Sequence, residues 1–111
     1  MALQQSYYRL WFVSFRLSIK SGHRDPIQLK LKANQTLPPE IIAECKTRKQ
    51  QPFNLLTECN REYFTNLTKY PIGTEFLLKA KLTDRNGGTM FFYSSFRWRA
   101  IKLVKPKLLA M

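Results

Sequence analysis

The chain has 111 residues, of which 44% are hydrophobic and 14% aromatic, and its 19 lysines and arginines against 7 acidic residues give a net charge of +12. This much apolar sequence argues against general disorder. The length suits a single domain over residues 1–111, with residues 105–111 expected to form a flexible tail. So basic a domain predicts a polyanionic partner, either nucleic acid or an anionic membrane surface.

The cysteines, the histidine and the hydropathy pattern indicate the cellular compartment and whether the chain holds a metal or a disulfide. Cys45 and Cys59 do not have a CxxC spacing, and His23 is the only histidine, so we predict no metal site and no cofactor. Arg9 and Arg16 interrupt the N-terminal apolar residues, which is atypical of a signal peptide, and no apolar stretch is long enough to span a membrane. We therefore expect a cytoplasmic protein with two buried free thiols, and a single disulfide is the alternative.

Alternating residues predict two strands in the first third of the chain. Period-two alternation over residues 7–20 predicts a long half-buried strand. Its apolar face is expected to consist of Trp11, Val13, Phe15, Leu17 and Ile19. Residues 21–26 have the composition of a turn. A second alternation, over residues 27–33, predicts a strand antiparallel to the first, with inward-facing Ile27, Leu29, Leu31 and Ala33.

The middle of the chain leaves one choice open. Residues 36–50 form either a helix or a loop with a short strand: Thr36 and the prolines that follow can begin a helix, or these prolines lie in a loop and residues 40–47 form the strand. Residues 54–67 are typical of a helix, because apolar side chains recur there at three- and four-residue spacing and Asn54 suits the N-cap position.

A long hairpin is predicted over residues 74–103, because two runs rich in β-branched and aromatic residues flank an Asn-Gly-Gly turn. The apolar faces of the two strands point to the same side of the sheet only if the loop between them has an odd number of residues. A three-residue loop that ends in a left-handed Gly87 or Gly88 is favoured. After Ala100 the alternation of apolar and polar residues shifts by one position, which predicts a bulge or sharp bend near Arg99 and Ala100.

The two faces of this hairpin differ in character. One face is apolar and comprises Phe76, Leu78, Ala80, Leu82, Met90, Phe92, Ser94, Phe96, Trp98 and Ala100. The other face interleaves cations with aromatic rings, which suits nucleic acid because the cations neutralise phosphates and the rings stack on bases. In the alternative, the sheet is covered on both faces, and Phe91 and Tyr93 pack under a helix.

The order of the predicted elements indicates a fold class. If residues 40–47 form a strand, the order is β-β-β-α-β-β, which is the order of the OB-fold, a small Greek-key barrel. We predict an α+β, mostly antiparallel β fold: a small five-stranded barrel or strongly bent sheet, OB-like in order, with one helix. Ligands of such barrels lie between the loops that join strands 1–2 and 4–5, here residues 21–26 and 84–88.

The charge and the sheet face together predict a nucleic-acid-binding module without catalytic residues, which binds single-stranded DNA or RNA. The binding residues are expected on the basic and aromatic face and its loops: Arg24, Lys30, Lys32, Lys79, Lys81, Arg85, Phe91, Tyr93, Arg97 and Arg99. The alternative is a small adaptor that binds an acidic protein partner.

A second alternative is enzymatic and comes from residues 41–46, Ile-Ile-Ala-Glu-Cys-Lys. As a strand, this segment resembles the second half of the PD-(D/E)xK nuclease motif. The resemblance implies metal-dependent phosphodiester cleavage that uses Glu44 and Lys46. The partnering acid would be Asp25, although Pro26 follows it here and the motif's proline precedes its aspartate.

Overall fold

The computed structural model describes residues 6–16, 27–84 and 89–106. Along the chain these residues form β1 (Tyr8–Arg16), β2 (Ile27–Leu31), α1 (Pro39–Thr47), a 3-10 turn (Pro52–Asn54), β3 (Thr57–Glu58), α2 (Glu62–Thr65), β4 (Glu75–Asp84), β5 (Met90–Tyr93) and β6 (Lys102–Val104). Within these described ranges, no helix has both the length and the apolar character to cross a membrane.

The strands form a nearly closed, mixed five-stranded barrel. Its order is β2-β1-β4-β5-β3, and β2 and β3, at the two ends of this order, lie against each other. The β3–β5 pair is parallel and the other pairs are antiparallel. This confirms the predicted mostly antiparallel α+β fold, a small OB-like barrel. The short helix α2 lies between β3 and β4, as the predicted order requires; α1 and β6 are further elements, and β6 pairs with the first residues of β4.

The inward faces of β2, β4 and β5 are the predicted ones, except that Ala33 is exposed because β2 ends at Leu31 and the chain turns there. Their buried side chains alternate along each strand: Ile27, Leu29 and Leu31; Phe76, Leu78, Ala80 and Leu82; Met90, Phe92 and Ser94. Pairing of Leu82 with Phe92 and of Asp84 with Met90 leaves five residues between β4 and β5, an odd number as expected but two more than the predicted three-residue loop. The left-handed glycine expected in that loop lies outside the described residues.

The face predicted for β1 is wrong. Its buried residues are Leu10, Phe12 and Ser14, whereas the side chains expected inside, Trp11, Val13 and Phe15, are half-buried on the outside of the barrel; Leu17 and Ile19 lie outside the described ranges. Both faces of this strand are apolar in sequence, so alternation alone does not distinguish them. Pairing with β4 decides the face, because it sets the even-numbered residues of both strands opposite each other in the core.

Residues 36–50 form a helix and not a strand. Helix α1 begins with Pro39 in its first turn, where a missing N–H costs nothing, and it buries Ile41 and Cys45. Arg48 follows the helix, and its guanidinium contacts the carboxylates of Glu44 (2.9 Å) and of the buried Asp84 (2.6 Å) at the end of β4. This charge cluster ties the end of α1 to the end of the β4 strand.

The helix predicted over residues 54–67 is wrong for most of its length, since only Glu62–Thr65 is helical. Leu55, Thr57 and Cys59 are buried alternately, as in a strand. Backbone N–H groups of β5 and of the residue after it donate hydrogen bonds to the carbonyls of residues 56 (3.0 Å) and 58 (2.8 Å). Pairing with a strand distant in sequence has therefore overridden the local helical spacing.

The second strand of the long hairpin is also interrupted. Strand β5 ends at Tyr93, and a turn follows in which the N–H of Trp98 donates to the carbonyl of Ser95 at 3.0 Å. The chain returns to the sheet through a 2.7 Å hydrogen bond from the N–H of Ile101 to the carbonyl of Leu77. The change of direction thus begins before the predicted bend at Arg99 and Ala100. It removes two expected core residues from the apolar face: Phe96 is 62% exposed and Trp98 is 37% exposed.

Both cysteines are free thiols in the interior, as expected, so the alternative of a single disulfide is wrong. Burial raises the pKa of Cys59 to about 12 and also raises the pKa of Cys45. The thiolate is the reactive form, so we expect native protein at neutral pH to react with a thiol reagent far more slowly than urea-unfolded protein. Absorbance of a disulfide-exchange reagent measures both rates, and immediate reaction of both thiols in native protein would contradict this burial.

Candidate nucleic-acid interface

The outer faces of β1 and β4 meet along the barrel surface. Because side chains alternate between faces of a strand, the odd-numbered residues of both strands point away from the core. Arg9 pairs with Lys79, and Trp11 pairs with Leu77. Lys79 is exposed and Lys81 half-exposed. This surface therefore carries a cationic stretch of β4 beside the aromatic and basic outer face of β1.

Two lysines and two rings of this surface form one cluster, here called the ring–lysine cluster: Tyr7, Lys79, Lys81 and Trp98. The ammonium of Lys79 lies 5.2 Å from the centre of the Trp98 ring and 5.9 Å from that of Tyr7. The ammonium of Lys81 lies 5.2 Å from the Tyr7 ring. The two rings contact each other edge to face with centres 5.0 Å apart. Cation–π contacts at exposed sites are weak, about 0.5–1 kcal/mol each, so the ammonium groups can exchange them for a ligand.

A buried tyrosine holds the segment that carries Trp98. The N–H of Ala100 donates a 2.8 Å hydrogen bond to the hydroxyl of Tyr63. The Tyr63 ring packs on Phe76 and Tyr70 at centre distances of 4.5 and 5.2 Å, and burial raises its pKa. The segment from Ser95 to Ile101 is thus fixed at both ends, by its turn and by this bond, although it lies outside the strands.

The charge of the two lysines in the ring–lysine cluster decides what this surface attracts. Over residues 6–16, 27–84 and 89–106, neither Lys79 nor Lys81 forms an ion pair with a carboxylate. The acid that follows this surface along the sheet is Glu58 of β3, which pairs with Tyr93 of β5. Glu75, on the same face of β4, is already paired with Lys32, so a cluster with two cations and a further cation at Arg9 attracts anions.

The aromatic residues predicted on β5 extend this surface. Tyr93 pairs with Lys81 and Phe91 pairs with Thr83, so both rings stand on the outer face beside β4. Both side chains are half-buried. Of the predicted binding residues, the structure therefore brings Lys79, Lys81 and Tyr93 together, with Phe91 further along the same strand.

The other predicted binding residues are dispersed. Lys30 lies on β2 with its ammonium 4.6 Å from the centre of the Phe15 ring, and Lys32 forms a 3.0 Å ion pair with Glu75. Arg97 and Arg99 are exposed on the segment after β5. Arg24 and Arg85 lie outside the described residues, as do most of the two loops expected to flank a ligand.

The residues of the nuclease resemblance lie in a different setting from the one the motif needs. Glu44 and Lys46 are on helix α1, whereas the motif places its acid and lysine on a strand, and Glu44 is paired with Arg48. In the described part of the chain, no three histidine, cysteine or acidic side chains form a group that could hold a metal ion. Asp25 lies outside that part.

The C-terminal edge of the sheet exposes apolar side chains. Ile101, Leu103 and Val104 are each nearly half exposed, and β6 is paired on one edge by β4. No other described strand pairs with β6. Lys102 and Lys105 stand among these residues. Lone exposed apolar residues need no explanation, but a run of them on an edge strand marks a surface that can pair with another chain.

Four aromatic residues of the outer surface are absent from the sequence-based set of binding residues: Tyr7, Trp11, Phe15 and Trp98. The first three carry no clear sequence signal, because each face of β1 is apolar with one cation, Arg9 on one and Arg16 on the other. Trp98 carries no signal either, because its exposure depends on the turn that precedes it.

Comparisons of this chain with protein-family models, with curated proteins and with solved structures find no match. The arrangement of its own side chains is therefore the basis for assigning a function.

Proposed function

We propose that this protein binds single-stranded nucleic acid across the outer face of β1, β4 and β5. One observation carries the proposal: the ammonium groups of Lys79 and Lys81, which have no carboxylate partners in the described chain, lie 5.2 Å from the centres of the exposed Trp98 ring and the half-buried Tyr7 ring. Lys79 and Lys81 neutralise phosphates, and the two rings stack on bases. A positively charged surface with stacking rings is the common design of proteins that bind single strands.

The rings favour a single strand over a duplex. A base can lie flat on an aromatic side chain only when it is not stacked on its neighbours and paired inside a helix. Duplex binding instead relies on phosphate contacts and on side chains that enter a groove, and a sheet face with embedded rings offers few of these. Stacking is tolerant of base identity, so both DNA and RNA fit. The net charge of +12 supports the same class of partner.

The neighbouring predicted residues fit this mode of binding. Tyr93, next to Lys81, supplies a further ring, and Arg9, next to Lys79, supplies a further cation. Arg97 and Arg99, on the segment that carries Trp98, add exposed charge close in sequence to it. Lys32 is a weaker candidate for a phosphate contact, because its ammonium already forms an ion pair with Glu75.

Replacing Lys79 with glutamine tests the phosphate contacts. We expect weaker binding to a single-stranded oligonucleotide, with the slope of log affinity against log salt reduced by about 0.7, because one fewer counterion release accompanies binding. Fluorescence anisotropy over a salt series measures the slope. Lys46→Gln, an equal charge change on the exposed side of α1, is the matched control and should leave the slope nearly unchanged. Equal slope changes in both variants would mean that only net charge matters, which would contradict a defined site.

The exposed apolar edge at β6 favours a second candidate function, that of a protein-interaction module. Leu103 and Val104 stand between Lys102 and Lys105, so the occupant with matching chemistry is an extended partner segment that carries apolar and acidic side chains and adds a strand to the sheet. In that case Leu103→Lys would leave nucleic-acid affinity unchanged, and binding to every polyanion would be weak and alike.

A further inference from the structure

The outer face of β1, extended by the residue that precedes it, carries an aromatic ring at every fourth residue: Tyr7, Trp11 and Phe15. All three side chains are half-buried and lie on the same side of the strand. At a strand rise of about 3.3 Å per residue, neighbouring rings are about 13 Å apart and the outer two about 26 Å apart. The two outer rings, Tyr7 and Phe15, each have a lysine ammonium over their face.

The far end of this line has its own ring and cation. The ammonium of Lys30 lies 4.6 Å from the centre of the Phe15 ring. The register brings them together, since Lys30 pairs with Val13, two residues from Phe15 on the same face. Across the described ranges, Lys30 forms no ion pair with a carboxylate. The pair repeats, at the other end of β1, the chemistry of the ring–lysine cluster.

The strand between the two ends is held rigidly. The side-chain amide of Gln35 accepts a hydrogen bond from the N–H of Trp11 (3.1 Å) and donates one to the carbonyl of Trp11 (2.7 Å). The same amide donates to the carbonyl of Lys32 at 2.8 Å. Gln35 thus takes the place of a paired strand where β2 ends. The exposed side chain of Arg9 adds charge between Tyr7 and Trp11.

We propose that the outer face of β1 is a binding track with two separate stacking sites, the ring–lysine cluster at one end and Phe15 with Lys30 at the other. The track takes a single-stranded polynucleotide long enough to occupy both sites at once. This inference rests on the function proposed above and specifies its ligand. At the stacked spacing of about 3.4 Å per nucleotide, a span of about 26 Å corresponds to about eight nucleotides, and to fewer in a stretched strand.

The two sites predict a distinctive dependence of affinity on ligand length. An oligonucleotide too short to span the track occupies one site at a time. A spanning one makes its second contact intramolecularly, at high effective concentration, so its affinity rises sharply once the length suffices. A site size of this order lies within the range of about 4–16 nucleotides that single OB-type barrels cover.

Anisotropy titrations with oligothymidylates of about 3 to about 16 nucleotides test this track, using wild-type protein, Phe15→Leu and Trp98→Ala. Leucine keeps the apolar packing at position 15 and removes the flat ring; thermal unfolding verifies that the variant is folded. We expect Phe15→Leu to weaken binding of the longest oligomers about 5- to 150-fold, the loss of one base stack, and to change binding of the shortest by about twofold or less.

The outcomes separate this inference from the function on which it rests. A sharp rise in wild-type affinity with length, lost in Phe15→Leu, supports the track. A smooth length dependence, with Phe15→Leu unchanged for long oligomers and Trp98→Ala weakened at every length, overturns the track and leaves the proposed function standing. Absence of binding at every length and at low salt overturns both.

Discussion

Replacing Phe92 with alanine is expected to lower the free energy of unfolding by about 3–5 kcal/mol, the usual cost of removing a fully buried phenylalanine. Phe92 has no exposed surface, and its ring meets that of Phe12 edge to face with centres 5.6 Å apart. The two side chains come from β1 and β5, which are not neighbours in the sheet, so removing one ring leaves a cavity between two strands. Urea unfolding followed by circular dichroism measures the loss, which is a large part of the stability of a typical domain of about 5–15 kcal/mol.

Phe96→Ala is the matched control for this substitution. It makes the same chemical change four residues away, at a side chain that is 62% exposed. Because surface substitutions usually change stability by about 0.5 kcal/mol or less, we expect little effect. Similar losses in the two variants would mean that Phe96 is buried, and that the turn after β5 does not form.

Replacing Trp98 with alanine is expected to weaken binding of a single-stranded oligonucleotide by about 1–3 kcal/mol, a factor of roughly 5 to 150, because one base loses its stacking surface. Trp98 is 37% exposed and contacts Tyr7 and Lys79 in the ring–lysine cluster. The salt slope should stay near the wild-type value, since tryptophan makes no charge contact with phosphate. Anisotropy titration at several salt concentrations gives both quantities.

The same Phe96→Ala protein serves as the binding control. Phe96 is an exposed ring in the same turn, and its only described ring contact with a cation is that of Arg97 at 5.4 Å, outside the ring–lysine cluster. We expect its affinity to stay within about twofold of wild type, against a loss of about 1–3 kcal/mol at a stacking ring. An equal loss in both variants, or none in Trp98→Ala, would show that the cluster is not where bases stack.

Alternation of side chains was sufficient to predict the faces of β2, β4 and β5. In β2 and β4 one face is apolar and the other carries charged or polar residues, so only one register buries the apolar side chains, and the hairpin register with β4 then fixes the face of β5. The same reasoning indicated the cationic outer residues of β4 and the ring of Tyr93 opposite Lys81. For a strand with two unlike faces, sequence therefore predicts which side chains lie on the outer face.

Where either face of a strand could be buried, or where a segment fitted both the helical and the strand period, pairing with a strand distant in sequence decided the structure. Strand β1 is apolar on both sides, and its pairing with β4 selects Leu10 and Phe12 for the core. Residues 55–59 fit both a helix and a strand, and pairing of Thr57 and Glu58 with β5 selects the strand. Neither pairing can be read from residues close in sequence, because the partner strands lie far along the chain.

Contacts distant in sequence also explain why the sequence did not predict Trp98 as part of the candidate site. Trp98 meets Tyr7 and Lys79 only because the chain turns after β5 and because Tyr63 fixes the N–H of Ala100. On an uninterrupted strand, Trp98 would have stood on the core face. A turn at Ser95, far from any glycine or proline, has no strong sequence signal.

The measurement that tests the central claim most directly is anisotropy binding of the wild-type protein to single-stranded DNA, single-stranded RNA, duplex DNA and heparin across a salt series. We expect both single strands to bind more tightly than duplex or heparin. If the track contacts about four phosphates, affinity for a single strand should fall about 50-fold between about 50 and 200 mM salt. Weak binding that is equal for all four polyanions, or binding insensitive to salt, would contradict the account and favour a protein partner at β6.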